Sequence, residues 1–114
     1  MQAWGLSDPG VVRTQNQDAF VIQELEESVY LAVVCDGMGG ARSGNVASQL
    51  ALEQFAQLVG QNWKENLSDE EISRLLAAGV EQANQTVYAT SCSDEAFEGM
   101  GTTLVAAIVQ SRSL

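Results

Sequence analysis

The sequence has no histidine among its 114 residues and only two cysteines. Without an imidazole, the chain can form no Ser-His-Asp triad, no histidine acid–base pair and no histidine-ligated zinc site. The cysteines, Cys35 and Cys92, stand far apart and form no CxxC pair. We expect Cys35, which ends an apolar stretch, to be a buried small hydrophobic residue, and Cys92 to be a free thiol.

Basic residues are also scarce. Five Lys and Arg residues stand against 15 Asp and Glu residues, and the net charge is −10. Such a field repels nucleic acids and anionic membranes, so we expect neither as a partner, whereas it would help to attract divalent cations. The apolar runs are too short to span a bilayer, and no signal segment is visible at the N-terminus. We therefore expect a globular protein in the cytoplasm.

Hydrophobic periodicity predicts an α+β fold with several short strands and two amphipathic helices. The predicted strands cover 4–7, 18–23, 29–35 and 102–110. The middle two strands should form a hairpin. The first helix is predicted over 44–59 with Gly60 as its C-terminal cap, and the second begins at the capping box Ser68-Asp69-Glu70-Glu71. The last strand, which follows a loop over 91–101, is apolar at nearly every position. We therefore expect it to be central, buried on both faces and part of a larger domain.

The segment Val33-Val34-Cys35-Asp36-Gly37-Met38-Gly39-Gly40 sets a carboxylate at the end of an apolar strand and follows it with glycines. Glycine lets a ligand or another backbone approach closely. A carboxylate beside a backbone carbonyl is a ligand set that Mg²⁺ or Mn²⁺ prefers. Two other interpretations remain open: a tight strand-to-helix turn in which Asp36 satisfies backbone amides, and a phosphate-binding loop at a helix N-terminus.

Arg13 and Asp18 form a second candidate set. Arg13 stands before a strand, where its guanidinium could hold two phosphate oxygens. Asp18 opens that strand, and in an antiparallel hairpin it would lie near the same sheet end as Asp36. The alternative is a solvated arginine and a strand-capping aspartate. A third motif, Gly99-Met100-Gly101-Thr102-Thr103, is interpreted as close packing of the last strand against a helix.

Taken in order, these three motifs resemble the metal-dependent type 2C (PPM family) Ser/Thr protein phosphatases. The resemblance is closest to the bacterial branch, whose members work opposite Ser/Thr kinases. It implies part of an α-β-β-α sandwich, antiparallel sheets flanked by helices, that is incomplete at the C-terminus. Because family domains are roughly twice this length, residues 1–114 would be the N-terminal part of a single phosphatase catalytic domain.

The resemblance also implies roles for particular residues around a centre of two or more Mn²⁺ or Mg²⁺ ions. Asp36 would bridge two ions and Gly37 would offer its carbonyl to one of them. Asp18 would hold metal-bound water from the outer shell, with Gln17 beside it. Arg13 would bind the substrate phosphate, and the water between the ions would attack phosphorus without a phospho-enzyme.

This sequence departs from the family pattern in two ways. Met38 stands where animal relatives often carry a histidine proposed as general acid, so the proton donor stays open. The family's other metal-binding aspartates fall in a C-terminal half without a counterpart here, and neither Asp69 nor Asp94 is expected to replace them. A non-catalytic pseudophosphatase or phosphoprotein-binding module is therefore an alternative to the enzyme. The implied partners are phosphorylated proteins, including a cognate Ser/Thr kinase, and the unpaired last strand suggests self-association.

Overall fold

The computed structural model describes residues 12–13, 18–38 and 41–110. Its elements in chain order are β1 (Val12–Arg13), β2 (Asp18–Glu26), β3 (Val29–Met38), α1 (Ala41–Asn62), α2 (Asp69–Ser93), a short 3₁₀ helix (Glu95–Phe97) and β4 (Gly101–Gln110). The strands form an antiparallel sheet in the order β1-β2-β3-β4, which confirms the α+β prediction. The strand predicted over 4–7 lies outside the described residues.

Strands β2 and β3 form the predicted hairpin, and both are longer than the apolar pattern indicated. Ser28 in the connecting turn has φ 67°, a left-handed conformation that recurs in hairpin connections. Strand β3 continues to Met38 because β4 pairs with it along its whole length, so that Gly37 lies opposite Thr102. The interpretation of Asp36 and Gly37 as a tight turn is therefore wrong, since both are strand residues.

The core lies between one face of the sheet and α1. Residues of β3 alternate between buried and more exposed positions, as expected for a strand that is covered on one face. The larger side chains buried between the sheet and α1 are Leu31, Val33, Leu52, Phe55 and Val59. Helix α2 packs mainly against α1. At their contact a Cβ on Gly79 would lie 2.9 Å from Phe55 Cδ2, so this glycine lets the helices approach closely.

The capping box of α2 forms as predicted. The Glu71 N–H donates to Ser68 Oγ at 3.1 Å, and the Ser68 N–H donates to Glu71 Oε1 at 3.1 Å. The bond from the Ser68 backbone N–H holds the pKa of the Glu71 carboxyl below its usual value, with a further contribution from the Ser68 side chain. Helix α2 continues to Ser93, so Cys92 lies in its last turn rather than in a loop.

Helix α1 is longer than predicted at both ends, and Gly60 lies inside it. The prediction of a C-terminal cap at Gly60 is wrong. A Cβ there would lie 2.6 Å from Gln23 Nε2, the far end of a flexible side chain of β2. Among the described residues, no helix combines the length and apolar character needed to cross a membrane.

The prediction that the last strand is central and buried on both faces is wrong for the described sheet. Strand β4 is at the edge of the sheet, beside β3 alone. One face of β4 packs towards α1 through Leu104, Ala106 and Ile108. The other face is exposed: Val105 keeps 67% of its surface accessible, and Val34 beside it keeps 51%. The sheet therefore has an apolar outer face on the side away from the helices.

Candidate active site

Asp18 and Asp36 are direct register partners at the end of the β2–β3 hairpin. Opposed residues in an antiparallel pair have Cα atoms roughly 4.5–5.5 Å apart. Asp18 and Asp36 therefore lie at the same end of the sheet, as expected. Since Asp18 is the first residue of β2, the pair lies at the open end of the hairpin.

Asp36 is held from the other side by β4. Its register partner there is Thr103, and the Asp36 backbone N–H donates to Thr103 Oγ1 at 3.2 Å. The Asp36 side chain is exposed, whereas its neighbour Cys35 is buried against the helices. Because successive side chains of a strand point to opposite faces, the Asp36 carboxylate projects from the outer face of the sheet.

The contact between Thr103 and Asp36 was missed by reasoning from the sequence, which interpreted Gly99 to Thr103 as packing alone. The motif contains Thr103, but its contact with Asp36 depends on the β3–β4 register. Both strands are apolar at nearly every position, so their sequences do not define that register.

Gly37 faces the opposite way, towards α1. A Cβ built on Gly37 would lie 2.6 Å from the carbonyl carbon of Gly44, 2.9 Å from its Cα, and closer still to its carbonyl oxygen. The backbone of the first part of α1 therefore supports the strand directly behind the Asp36 carboxylate. The lack of a side chain at Gly37 has a packing reason that is independent of any ligand.

Arg13 lies in β1, where its backbone is paired with Ala19, the residue after Asp18. The backbones of Arg13, Asp18 and Asp36 thus occupy three adjacent strands at one end of the sheet. The description of Arg13 as preceding a strand is corrected, because it is itself a strand residue. Gln17, predicted to stand beside Asp18, lies outside the described residues.

The donor chemistry at this sheet end fits part of a site for a hard divalent cation. Carboxylate and carbonyl oxygens are the ligands that Mg²⁺ and Mn²⁺ prefer. Within residues 12–13, 18–38 and 41–110, no group of three or more Asp, Glu, Cys or His side chains comes together. Asp69 lies in the first turn of α2, and Asp94 caps the 3₁₀ helix by accepting the Ala96 N–H at 2.9 Å.

Cys35 has the character of a core residue rather than a nucleophile. Its side chain is fully buried on the helix-facing side of β3. Burial raises the pKa of the Cys35 thiol to about 11, although a side-chain hydrogen bond with Thr102 acts in the opposite direction. A thiolate is the reactive form, so the thiol next to Asp36 is inert near neutral pH. The prediction of a buried small hydrophobic residue is confirmed.

Comparison with known proteins decides the family. The model of the protein phosphatase 2C family matches residues 11–114. The chain belongs to this family. Membership in the protein phosphatase 2C family implies a requirement for a divalent metal ion, to which the Asp36 end of the sheet is chemically suited.

Two bacterial relatives show how much of a phosphatase the chain represents. It is 38% identical over 112 residues to the serine/threonine phosphatase Stp of Listeria monocytogenes serotype 4b, which covers 96% of this chain and 43% of Stp. It is 35% identical over 112 residues to the protein phosphatase PhpP of Streptococcus pneumoniae, covering 96% of this chain and 44% of PhpP. The chain thus spans less than half the length of these relatives.

Solved structures agree with the fold. The Streptococcus agalactiae serine/threonine phosphatase superimposes with a TM-score of 0.69 at 32% identity, covering 93% of this chain and 43% of that one. The Mycobacterium tuberculosis phosphatase PstP/Ppp gives a TM-score of 0.61 at 34% identity, covering 87% of this chain and 38% of that one. The sheet and helices described above therefore have the arrangement found in bacterial phosphatases of this family.

Proposed function

We propose that residues 1–114 form the N-terminal part of the single catalytic domain of a metal-dependent protein serine/threonine phosphatase. The substrates are phosphoserine and phosphothreonine in proteins. One structural observation carries the proposal: the register that sets Asp36 opposite Asp18 at the open end of the β2–β3 hairpin. Family membership supports it, as do relatives named serine/threonine phosphatases, of whose length the chain spans less than half.

In this proposal, Asp36 and the Gly37 carbonyl hold Mn²⁺ or Mg²⁺, and Asp18 acts from the outer shell. When bound, such ions supply Lewis-acid activation of water at neutral pH. The chain itself contributes rigidity. The Asp36 N–H is bonded to Thr103, and the Gly44 backbone lies against Gly37. The backbone that carries the carboxylate is therefore held in place before any ligand arrives.

Arg13 supplies the phosphate recognition. A guanidinium offers two parallel N–H donors to two phosphate oxygens, and it carries its charge at every physiological pH. Its backbone lies one strand away from Asp18, on the far side of β2 from Asp36. The Arg13 backbone therefore lies at the same sheet end as Asp36, where the proposed metal site would be.

The partners we propose are phosphorylated proteins, including a cognate Ser/Thr kinase, in the cytoplasm. Self-association is a further proposal for this chain. Its support is the position of β4 at the edge of the described sheet, because an edge strand presents unpaired N–H and C=O groups to another chain.

A non-catalytic phosphoprotein-binding module is the second candidate. The observation that favours it is the absence, within the described residues, of any cluster of three metal-ligating side chains. The two candidates differ in their response to chelation. A binding module retains its phosphopeptide in EDTA and shows no turnover, whereas the enzyme loses hydrolysis in EDTA and regains it with Mn²⁺.

The test is the substitution Asp36→Asn, which keeps the side-chain volume and removes the charge. We expect Mn²⁺ binding in calorimetry and Mn²⁺-dependent hydrolysis of p-nitrophenyl phosphate to fall by more than about 100-fold, since even outer-shell partners of a metal are worth about 10–100-fold. Asp18→Ala should cost less, within that outer-shell range. Asp69→Asn is the matched control, because it removes the same charge from the first turn of α2.

Folding is checked by thermal unfolding of each variant. The bond to Thr103 uses the Asp36 backbone and survives the substitution, so the Asn variant should melt close to the wild type. Unchanged Mn²⁺ affinity in a folded Asp36→Asn protein would contradict the assignment of Asp36.

A further inference from the structure

Two contacts support the strand end at Asp36 and Gly37, and one short segment of chain bears on both of them. The segment 94–100 leaves α2, forms the 3₁₀ helix and leads into β4, which carries Thr103 to the Asp36 N–H. The second support, the Gly44 backbone behind Gly37, belongs to α1. A contact between this segment and α1 would therefore couple the two supports.

Ser43 makes that contact. Its hydroxyl donates to the carbonyl oxygen of Ala96, in the 3₁₀ helix, at 2.9 Å, across 53 positions of sequence. Ser43 is only 7% exposed, and it directly precedes Gly44 in the first part of α1. The hydrogen bond therefore joins the helix backbone behind Gly37 to the segment that delivers Thr103.

The segment that receives this bond is itself well defined. Asp94 accepts the Ala96 N–H, the Met100 N–H donates to the Phe97 carbonyl at 3.1 Å, and Met100 is buried in the core. Because the Ala96 carbonyl is fixed by these contacts, the Ser43 bond constrains the position of α1. A buried hydroxyl that loses its acceptor also pays a desolvation penalty, which favours the bonded arrangement.

We infer that Ser43 is a positioning residue, whose hydrogen bond to Ala96 sets the place of the α1 backbone behind Gly37 and, through it, the position of the Asp36 carboxylate. This inference rests on the proposed metal-holding role of Asp36. Ser43 touches neither substrate nor metal in it. Its effect is transmitted by the backbone contact between Gly44 and Gly37, which is too close to let one move without the other.

The test compares Ser43→Ala with Ser48→Ala in the protein at its full natural length. Ser48 is a matched control, because it is a buried serine of the same helix whose hydroxyl donates to the Asn45 carbonyl within that helix. We expect Ser43→Ala to raise the Kd for Mn²⁺ in calorimetry by about 3–10-fold, the lower part of the range for indirect support of a metal ligand. Ser48→Ala should change it by less than about twofold. Ser43→Thr, which keeps the hydroxyl, should retain the wild-type Kd.

Amide hydrogen exchange supplies a readout that does not depend on the metal. In metal-free protein, the Asp36 amide should exchange faster in Ser43→Ala than in Ser48→Ala, since its bond to Thr103 loses a support. Equal exchange in both variants, an unchanged Kd in Ser43→Ala or an equally weakened Ser43→Thr would overturn the inference. A Ser43→Ala protein that does not fold would also overturn it, because the bond would then hold the fold rather than position the site. If the wild type binds no Mn²⁺ that depends on Asp36, the proposed function fails, and exchange alone decides the coupling.

Discussion

Replacing Gly37 by alanine tests whether the α1 backbone supports the strand end. The added Cβ would lie 2.6 Å from the Gly44 carbonyl carbon and 2.9 Å from its Cα, whereas real Cβ atoms essentially never come within 3.0 Å of such atoms. The obstructing atoms are backbone, so no rotamer change relieves the clash. Either β3 or the beginning of α1 must move.

The size of the effect follows from two opposing contributions. Overpacking of a filled interior typically costs about 1–3 kcal/mol, and a backbone obstacle belongs at the upper end of that range. Replacing glycine by alanine recovers about 0.4–1 kcal/mol by restricting the unfolded chain. We therefore expect Gly37→Ala to lower the free energy of unfolding by about 2 kcal/mol.

Gly101→Ala is the matched control, because Gly101 lies in the neighbouring strand as the register partner of Met38. A Cβ there would meet only Met38 Cγ at 3.7 Å, an ordinary contact with a flexible side chain. Urea unfolding followed by tryptophan fluorescence measures both variants. Gly101→Ala should stay within about 1 kcal/mol of the wild type. If the two variants lose the same free energy, the close support of Gly37 by α1 is refuted.

The remaining expectations concern the cap of α2 and the thiols. Ser68→Ala should lower the free energy of unfolding by about 1 kcal/mol. The control is Ser91→Ala, which removes a hydroxyl that donates to the Tyr88 carbonyl within α2; an equal loss would contradict the cap. The pKa of the Glu71 carboxyl is lower in the folded than in the unfolded protein. The ionised carboxyl therefore stabilises the fold above pH 4.5, its ordinary pKa, and this effect is lost as the pH falls through the lowered pKa. Glu71→Gln should make the free energy of unfolding depend less on pH in this acid range. A thiol reagent at pH 8 should label only the exposed Cys92 in native protein and both thiols in urea, and two native equivalents would refute the burial of Cys35. With a folded pKa of about 11 against an ordinary 9.0, Cys35 should stabilise the fold fully below pH 9 and lose this effect as pH rises towards 11, which is checked by the pH dependence of unfolding in Cys35→Ala.

The parts of the fold that were predictable are those with local physical causes. The capping box at Ser68 needs only residues three apart, and the β2–β3 hairpin follows from two apolar runs joined by a short turn. The proximity of Asp18 and Asp36 follows from that hairpin, since the open end brings the first residue of one strand to the end of the other. These features required no knowledge of distant parts of the chain.

The errors came from contacts between distant segments. Gly60 has the composition of a helix cap, yet α1 continues past it to Asn62. The exposed face of β4 cannot be told from a buried one by composition, because its residues are apolar on both sides. The bond from Ser43 to Ala96 crosses 53 positions and follows no motif. In each case the outcome depends on tertiary packing, which the local sequence pattern does not specify.

The alternation of β3 has a consequence for how this strand can change in evolution. Cys35 and Asp36 are adjacent in sequence, yet one faces the helices and the other faces outward. Deleting one residue between Val29 and Asp36 would turn the carboxylate into the core and the thiol out to water, whereas deleting two would restore both. Only a change of an even number of residues within this strand therefore keeps both side chains on their present faces. An odd change needs a compensating irregularity, such as the register shift that β2 already carries between Glu24 and Glu26.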